Sequence, residues 1–214
     1  MRYFVADLHF GHRKVAEIRY DDPELRDSQS KIIQMDSVIM NQLTSVKSGD
    51  QVWILGDISS GRKDGEEAAL NFIQFARENT GAQFHLIAGN HDSVSSIHRD
   101  AWKRQGRFLE VFDSVQQFAR LKFVGKDVLL SHFPYERSGD GPDRPGSRYD
   151  EYRLPCKDIP LIHGHTHQLT PHIDDDWMQY CVSWDVHRGL VKEDIIQEWL
   201  WSLDDENEFY QTII

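Results

Sequence analysis

The first half of the chain alternates short apolar runs with longer amphipathic segments. RYFVAD, QVWILGD and AQFHLIAGN have the length and the continuous apolar character of buried strands. Between them, Ser30–Val46 carries apolar side chains at spacings of three and four, and the segment from about Glu66 to Glu78 has the same period. This strand–helix–strand–helix–strand order predicts a mostly parallel sheet with short loops at the carboxyl ends of its strands.

The second half predicts mainly strands, with one long irregular stretch among them. The segment DSVQQFARLKFVGKDVLLSHFP indicates two strands joined by a hairpin at Val124–Asp127. IPLIHGHTH and QYCVSWDVH indicate two more strands, and EDIIQEWLWSL a closing helix. The stretch from Tyr135 to Asp158 is rich in Gly, Pro, Asp and Arg and has no period, and long loops of this kind are often functional. We find no repeat or linker, so we predict one domain over residues 1–214.

The charge balance limits the class of partner. The 214 residues include 24 Lys and Arg against 35 Asp and Glu, a formal net charge of −11. No stable nucleic-acid complex is therefore expected, and an anionic substrate needs a local source of positive charge. Cys156 and Cys181 form no CxxC motif, and neither a signal peptide nor a membrane span is indicated. We expect a soluble cytoplasmic protein with no membrane partner.

Polar side chains with metal-binding groups follow five of the predicted strands. An open α/β sheet places its ligand crevice at the carboxyl ends of its strands, so these groups are expected to converge. Each fragment alone is also typical of a turn, and only the five together, in this order, are specific. They are Asp7-Leu8-His9, Gly56-Asp57, Gly89-Asn90-His91-Asp92, Ser131-His132 and Gly164-His165-Thr166-His167.

The blocks DLH, GD, GNHD, SH and GHTH resemble the signature of the calcineurin-like metallophosphoesterase superfamily over residues 7–167. The opening DLHFGH is similar to that of the small bacterial and phage members. The resemblance implies an α/β fold, a four-layer αββα sandwich of two mixed sheets flanked by helices, with a dimetal site at the strand carboxyl ends. It also implies that Asp57 bridges two ions, one held by Asp7, His9, Asp57 and His167 and the other by Asp57, Asn90, His132 and His165.

Two divalent ions would explain how an acidic chain binds phosphate. Such a pair clamps both sides of an in-line displacement at phosphorus and converts water to hydroxide near neutral pH. Four positive charges against two ligand carboxylates leave a local excess of about two. The donor mixture accepts Mn²⁺, Fe, Zn²⁺, Co²⁺ or Ni²⁺, and the resemblance favours Mn²⁺.

Two residues next to these ligands are candidates for catalysis. By resemblance, His91 faces the substrate, where it would stabilise developing charge or protonate the leaving alkoxide. Asp92 is the candidate to orient His91, and a turn or helix-cap aspartate is the alternative. His163 is expected to be either a buried, hydrogen-bonded histidine or a hydrogen-bond partner of a ligand, rather than a ligand itself.

Substrate-positioning groups are expected near the opening motif and in the irregular stretch. His12 lies three residues after His9, so it would contact the substrate or hydrogen-bond a ligand, and a polar residue at a helix start is the alternative. Arg137, Arg144 and Arg148 could bind a phosphate ester, and solvated loop charge is the alternative.

These observations predict a dinuclear metal-dependent phosphoesterase. The short chain has no room for a capping domain over a polymer, which favours a phosphodiesterase acting on small nucleotidic diesters, cyclic nucleotides among them. The alternatives are a phosphomonoesterase, a DNA or RNA nuclease and a non-catalytic scaffold on the same fold. The scaffold is disfavoured because Asp7, Asp57 and their neighbouring imidazoles need cations to share one site. A monomer and a homodimer both stay open.

Overall fold

Two mixed β-sheets form the centre of the structure, a computed structural model that describes residues 1–140, 146–172 and 178–212, with side chains up to residue 204. The first sheet has the strand order β4-β3-β2-β1-β9, and the second has the order β5-β6-β7-β8. The strands are β1 (Arg2–Val5), β2 (Gln51–Ile54), β3 (Gln83–Ile87), β4 (Ser114–Gln116), β5 (Phe118–Phe123), β6 (Lys126–Ser131), β7 (Leu161–His163), β8 (Gln179–Cys181) and β9 (Val191–Lys192).

In the described residues, five α-helices lie between these strands in the chain and a sixth follows β9. They are α1 (Arg13–Arg19), α2 (Ser28–Leu43), α3 (Lys63–Thr80), α4 (Gln105–Val111), α5 (Trp184–His187) and α6 (Glu193–Thr212). Within the part of the chain that the structure describes, none of them is long and apolar enough to cross a lipid bilayer.

Strand pairing confirms the predicted parallel unit and the two-sheet fold class that the resemblance implied. In the first sheet β1, β2, β3 and β4 are parallel, and only β9 runs antiparallel, beside β1. In the second sheet the β5–β6 hairpin is antiparallel, and β7 and β8 continue it in parallel. Both sheets are therefore mixed.

The central strands are continuously apolar because both of their faces are covered. In β1, Phe4 belongs to the core between the sheets together with Leu130, whereas Val5 belongs to the core under the helices with Ile39 and Ile73. Successive strand residues point to opposite faces, so one short strand supplies both cores. Helix α6 adds side chains to the core between the sheets.

Several boundaries differ from those predicted. The strand expected from about Asp113 is divided near Gln117, because β4 pairs with β3 in the first sheet and β5 starts the second. The segment QYCVSWDVH does not stay extended: β8 ends at Cys181, and Ser183 caps α5 by accepting a hydrogen bond from Asp185 N. Helices α1 and α4 and strand β9 were not predicted, because segments of two to seven residues are too short to show a period.

The two sheets meet at the carboxyl ends of β1 and β8. Ala6 N donates to Val182 O at 2.9 Å, and Trp184 N donates to Ala6 O at 2.9 Å. Gly164 N donates to His132 O at 3.0 Å and so joins the ends of β6 and β7. These bonds bring the polar segments after four strands into one place.

Candidate metal centre

Carboxylate and imidazole groups from opposite ends of the chain converge where the strands end. One group consists of Asp7, His9 and His167, and a second consists of Asp7, Asp57 and His132. In each group one possible ligand atom per residue lies within 4.8 Å of the others. Asp7 is common to both groups, so the two clusters are adjacent.

Asp57 belongs to the second cluster and also faces the first. Its Oδ2 is 3.8 Å from His9 Nε2, and its Oδ1 is 3.6 Å from His132 Nε2. The carboxylate thus presents one oxygen to His9 and the other to His132, an arrangement that suits a bridging ligand.

The remaining ligand candidates lie beside His132. Asn90 Oδ1 is 3.1 Å from His132 Nε2, and His165 Nδ1 is 3.3 Å from the same nitrogen. His132 Nδ1 lies 2.7 Å from Leu55 O, which fixes the ring so that Nε2 faces this cluster. The structure therefore brings together all seven residues for which the sequence predicted a ligand role.

Strained backbone turns the side chains into the site. Five of the predicted ligands have left-handed φ angles, a region that costs residues other than glycine about 1 kcal/mol or more each. They are Asp7 (59°), His9 (53°), Asp57 (56°), His165 (71°) and His167 (48°). Such strain persists only where the surrounding structure enforces it, and it is typical of functional sites.

Two glycines permit the close approach of the loops. A Cβ at Gly164 would lie 2.4 Å from Ala6 Cβ and 2.9 Å from Asp7 Oδ2, and a Cβ at Gly89 would lie 2.4 Å from Asp57 Oδ1. Any side chain at these positions would push the carboxylates away from the cluster.

The donor set fits divalent cations. Asp7 Oδ1 is buried and has no hydrogen-bond partner among the described residues, which is costly for a carboxylate without a nearby cation. His9 Nε2 and His167 Nε2 are 3.2 Å apart, the separation expected of two nitrogens each about 2.0–2.1 Å from a common ion. Burial also lowers the pKa of His9 and of His165 well below the ordinary value, which keeps both imidazoles in the neutral form that binds metal.

Asp185 and Arg19 support His167, and sequence reasoning did not identify either of them. His167 Nδ1 lies 2.7 Å from Asp185 Oδ2, and Arg19 donates to both oxygens of that carboxylate, at 2.9 and 2.7 Å. Burial alone would raise the pKa of Asp185, but the hydrogen bonds from Arg19 and His167 outweigh burial and hold it below its ordinary value. The one sequence signal was the Ser183 helix cap, which separates Asp185 from the preceding strand.

Asp140 has the same relation to His165. Its Oδ1 lies 3.3 Å from His165 Nε2, and its carboxylate also pairs with Arg153 and Arg148. Asp140 and Arg153 are buried, whereas Arg148 is half exposed. Arg148, predicted as a substrate group, is therefore engaged by a carboxylate that contacts a predicted ligand.

The predicted catalytic residues have different surroundings. The His91 side chain is 40% exposed, with Nε2 3.9 Å from Asp57 Oδ2. Asp92 is buried and accepts hydrogen bonds from Gly89 N, Asp57 N and Ile58 N at 2.7–3.0 Å. No hydrogen bond joins Asp92 to the His91 imidazole in the described ranges, so the geometry assigns Asp92 to holding the two ligand loops rather than to orienting His91.

The other predicted residues surround the centre or lie outside it. The His12 ring centroid lies 5.2 Å from that of His9 and 6.3 Å from that of His91. Arg137 is exposed, and its N donates to Asp150 Oδ1 at 3.4 Å. Arg144 lies outside the described residues. His163 is fully buried, and burial lowers its pKa to about 4.

This chain is similar to known proteins in both sequence and fold. The family model of the calcineurin-like phosphoesterase superfamily domain matches residues 3–189. The Gene 66 protein of Mycobacterium phage L5 is 37% identical over 216 residues, which covers 95% of this chain and 96% of that protein. The Gene 66 protein of Mycobacterium phage D29 is 32% identical over 209 residues and covers 95% and 97%. The crystal structure of a protein of unknown function from Aquifex aeolicus matches with a TM-score of 0.62 at 22% identity, covering 92% of this chain and 98% of that one, which supports the fold.

Proposed function

We propose that this chain, which belongs to the calcineurin-like phosphoesterase superfamily, hydrolyses small nucleotidic phosphodiesters. Metal-dependent hydrolysis of phosphoesters is the chemistry of that superfamily, and the diester substrate is our own inference. The observation that carries the proposal is the pair of adjacent ligand clusters that share Asp7, with Asp57 of the second cluster also facing His9 of the first.

Two divalent cations are the proposed cofactor. When bound, two such ions stabilise charge on the phosphoryl group and lower the pKa of a water molecule to about 7. Mn²⁺ is our first choice because the resemblance to the superfamily favours it. The donor mixture also accepts Fe, Zn²⁺, Co²⁺ and Ni²⁺, so these are the ions to compare. Asp7, His9, Asp57 and His167 would hold one ion, and Asp57, Asn90, His132 and His165 the other.

His91 is the proposed acid for the leaving group. It is the one half-exposed imidazole beside Asp57 in the described part of the chain, so a substrate at the metal centre can reach it. Its N donates to Asp57 Oδ1 at 2.8 Å, which fixes the residue against the cluster. Donation of a proton from Nε2 to the departing alkoxide typically contributes about 10²–10⁴-fold to the rate.

The shape of the cleft supports a diester over a monoester. Next to the site, His12 lines an open cavity of about 680 Å³ that also reaches Gly11 and Ser60. A diester carries a second substituent on phosphorus in addition to the leaving group, and this cavity provides room for it. Cyclic nucleotides and short linear diesters are both in this class.

The direct test compares bis-p-nitrophenyl phosphate with p-nitrophenyl phosphate. The protein is stripped of metal with a chelator and assayed before and after addition of Mn²⁺. Faster release from the diester, only with metal, would support the proposal. Preference for the monoester would make the protein a phosphatase, and metal binding without turnover of either ester or of nucleotide diesters would favour the scaffold.

A further inference from the structure

The cavity beyond His12 has a charge opposite to that of the chain as a whole. Its lining includes the cationic residues Arg13, Lys14 and Arg62 and a single acid, Glu17. Glu17 is already engaged, because Arg13 Nε donates to it at 2.9 Å and Ser28 Oγ donates to the same oxygen. Lys14 and Arg62 are exposed and have no ion pair among the described residues. A protein with a net charge of −11 thus lines this cavity with two exposed cations that have no ion pair in the described part of the chain.

The cavity adjoins the metal centre through His12. His12 lines the cavity, and the centroid of its ring lies 5.2 Å from that of His9 and 6.3 Å from that of His91. On the other wall, Ser60 follows Ser59, whose carbonyl oxygen lies 3.0 Å from His9 Nδ1. A substrate whose scissile phosphate is at the metal centre would therefore extend past His12 toward Lys14 and Arg62.

We propose that this cavity is a subsite for a second phosphate group of the substrate, bound by Lys14 and Arg62. The inference rests on the proposed function and narrows its substrate class to diesters that carry another phosphate one nucleoside away. Arg provides a planar donor fork and Lys a mobile point charge, a combination suited to phosphate oxygens. Both an internucleotide phosphate and a terminal phosphate carry anionic oxygens that these two side chains could bind.

The test uses three thymidine substrates and the Mn²⁺-loaded protein. TpT has one phosphate, pTpT adds a terminal phosphate, and TpTpT adds a second internucleotide phosphate. We expect kcat/KM for at least one of the longer substrates to exceed that for TpT by about tenfold, the effect of one good charge-assisted contact. This ratio should fall as KCl is raised from low to physiological concentration, because exposed charges are screened by salt. If only pTpT has a higher kcat/KM than TpT, the cavity binds a terminal phosphate. If TpTpT is preferred over TpT as strongly as pTpT is, the cavity also binds an internucleotide phosphate.

Charge-neutral variants locate the contact. Lys14→Gln and Arg62→Gln should each reduce the ratio several-fold. Lys122→Gln, an exposed lysine on β5 in the second sheet, makes the same change of charge as Lys14→Gln and should leave the ratio unchanged. The inference would be overturned if the wild-type protein hydrolysed the longer substrates and TpT with similar kcat/KM. It would also be overturned if neither Lys14→Gln nor Arg62→Gln changed the ratio of these kcat/KM values. Release of p-nitrophenol from bis-p-nitrophenyl phosphate, measured on the same preparation, would show whether the proposed function had failed instead.

Discussion

Replacement of Asp185 by Asn tests whether the Arg19–Asp185–His167 chain positions a metal ligand. Asp185 is 10% exposed and Arg19 is completely buried. Asn keeps the size of the side chain but removes its charge. Arg19 then loses a charged partner, and His167 Nδ1 loses a carboxylate acceptor.

The stability cost follows from the bonds that Arg19 retains. Removal of one partner from a buried ion pair usually costs about 3–5 kcal/mol, because it leaves an uncompensated charge. Here Arg19 keeps Asp7 O at 2.7 Å and Leu8 O at 3.0 Å as acceptors. We therefore expect the free energy of unfolding of the metal-free protein to fall by about 2–3 kcal/mol, less than the usual cost.

The cost to metal binding is a separate quantity. A carboxylate that accepts the second N–H of a ligating histidine fixes its tautomer and orientation, and its loss typically weakens metal binding by about 10–100-fold. A tenfold weaker affinity lowers the stabilisation of the folded protein by saturating metal by about 1.4 kcal/mol. Metal should thus stabilise the variant less than it stabilises the wild type.

Urea unfolding with and without Mn²⁺ and calorimetric titration with Mn²⁺ measure both quantities. Asp127→Asn is the control, because its pair with Arg120 is exposed and 3.7 Å long, so it should cost less than about 1 kcal/mol and leave the affinity unchanged. Unchanged Mn²⁺ affinity in Asp185→Asn would refute the positioning role. A loss below about 1 kcal/mol without metal would refute the reasoning about the buried pair.

Four further predictions concern the site and its surroundings. Asp57→Ala should abolish Mn²⁺ binding and turnover together in calorimetry and ester assays, and retained stoichiometry would contradict a bridging role. His91→Ala should keep the metal stoichiometry and lower kcat by about 10²–10⁴-fold, and full turnover would exclude its role as the acid. Asp140→Asn should weaken Mn²⁺ binding through His165 by about 10–100-fold in the same calorimetric titration. Burial raises the pKa of Asp36 to about 6, so the folded state loses stability as the pH rises from about 4 to 6. In urea denaturation, Asp36→Asn should therefore add about 1 kcal/mol to the free energy of unfolding at pH 8 and little at pH 4, and a loss at pH 8 would contradict this.

The predicted ligand residues lie together, as expected, because the position of each one depends on the local sequence around it. A buried strand followed by a polar motif fixes both the sheet edge at which the motif lies and the type of ligand. Asp7 after β1 and Asp57 after β2 are examples, and the parallel pairing of these strands makes them neighbours. The closure of two sheets came only from the resemblance, since the division of the chain near Gln117 has no period of its own.

The residues that hold the ligands could not be predicted in the same way, because their partners are distant in sequence. Asp185 is 166 positions from Arg19 and 18 from His167, and no local pattern connects the three. Arg19 lies on the buried face of a seven-residue helix, where a cation would not be expected without its partner. The same holds for Asp140 and His165, 25 positions apart.

The two supporting carboxylates have different anchors, and this difference affects the two proposed ions. Asp185 is fixed by Arg19, whose side chain is buried. Asp140 lies in the irregular stretch and depends on Arg153, which also donates hydrogen bonds to Gly139 O and Arg148 O. Every partner of Arg153 in these bonds belongs to that same stretch. The orientation of His165 is therefore coupled to the folding of one loop, and the ion that His165 would hold should be the more easily lost of the two.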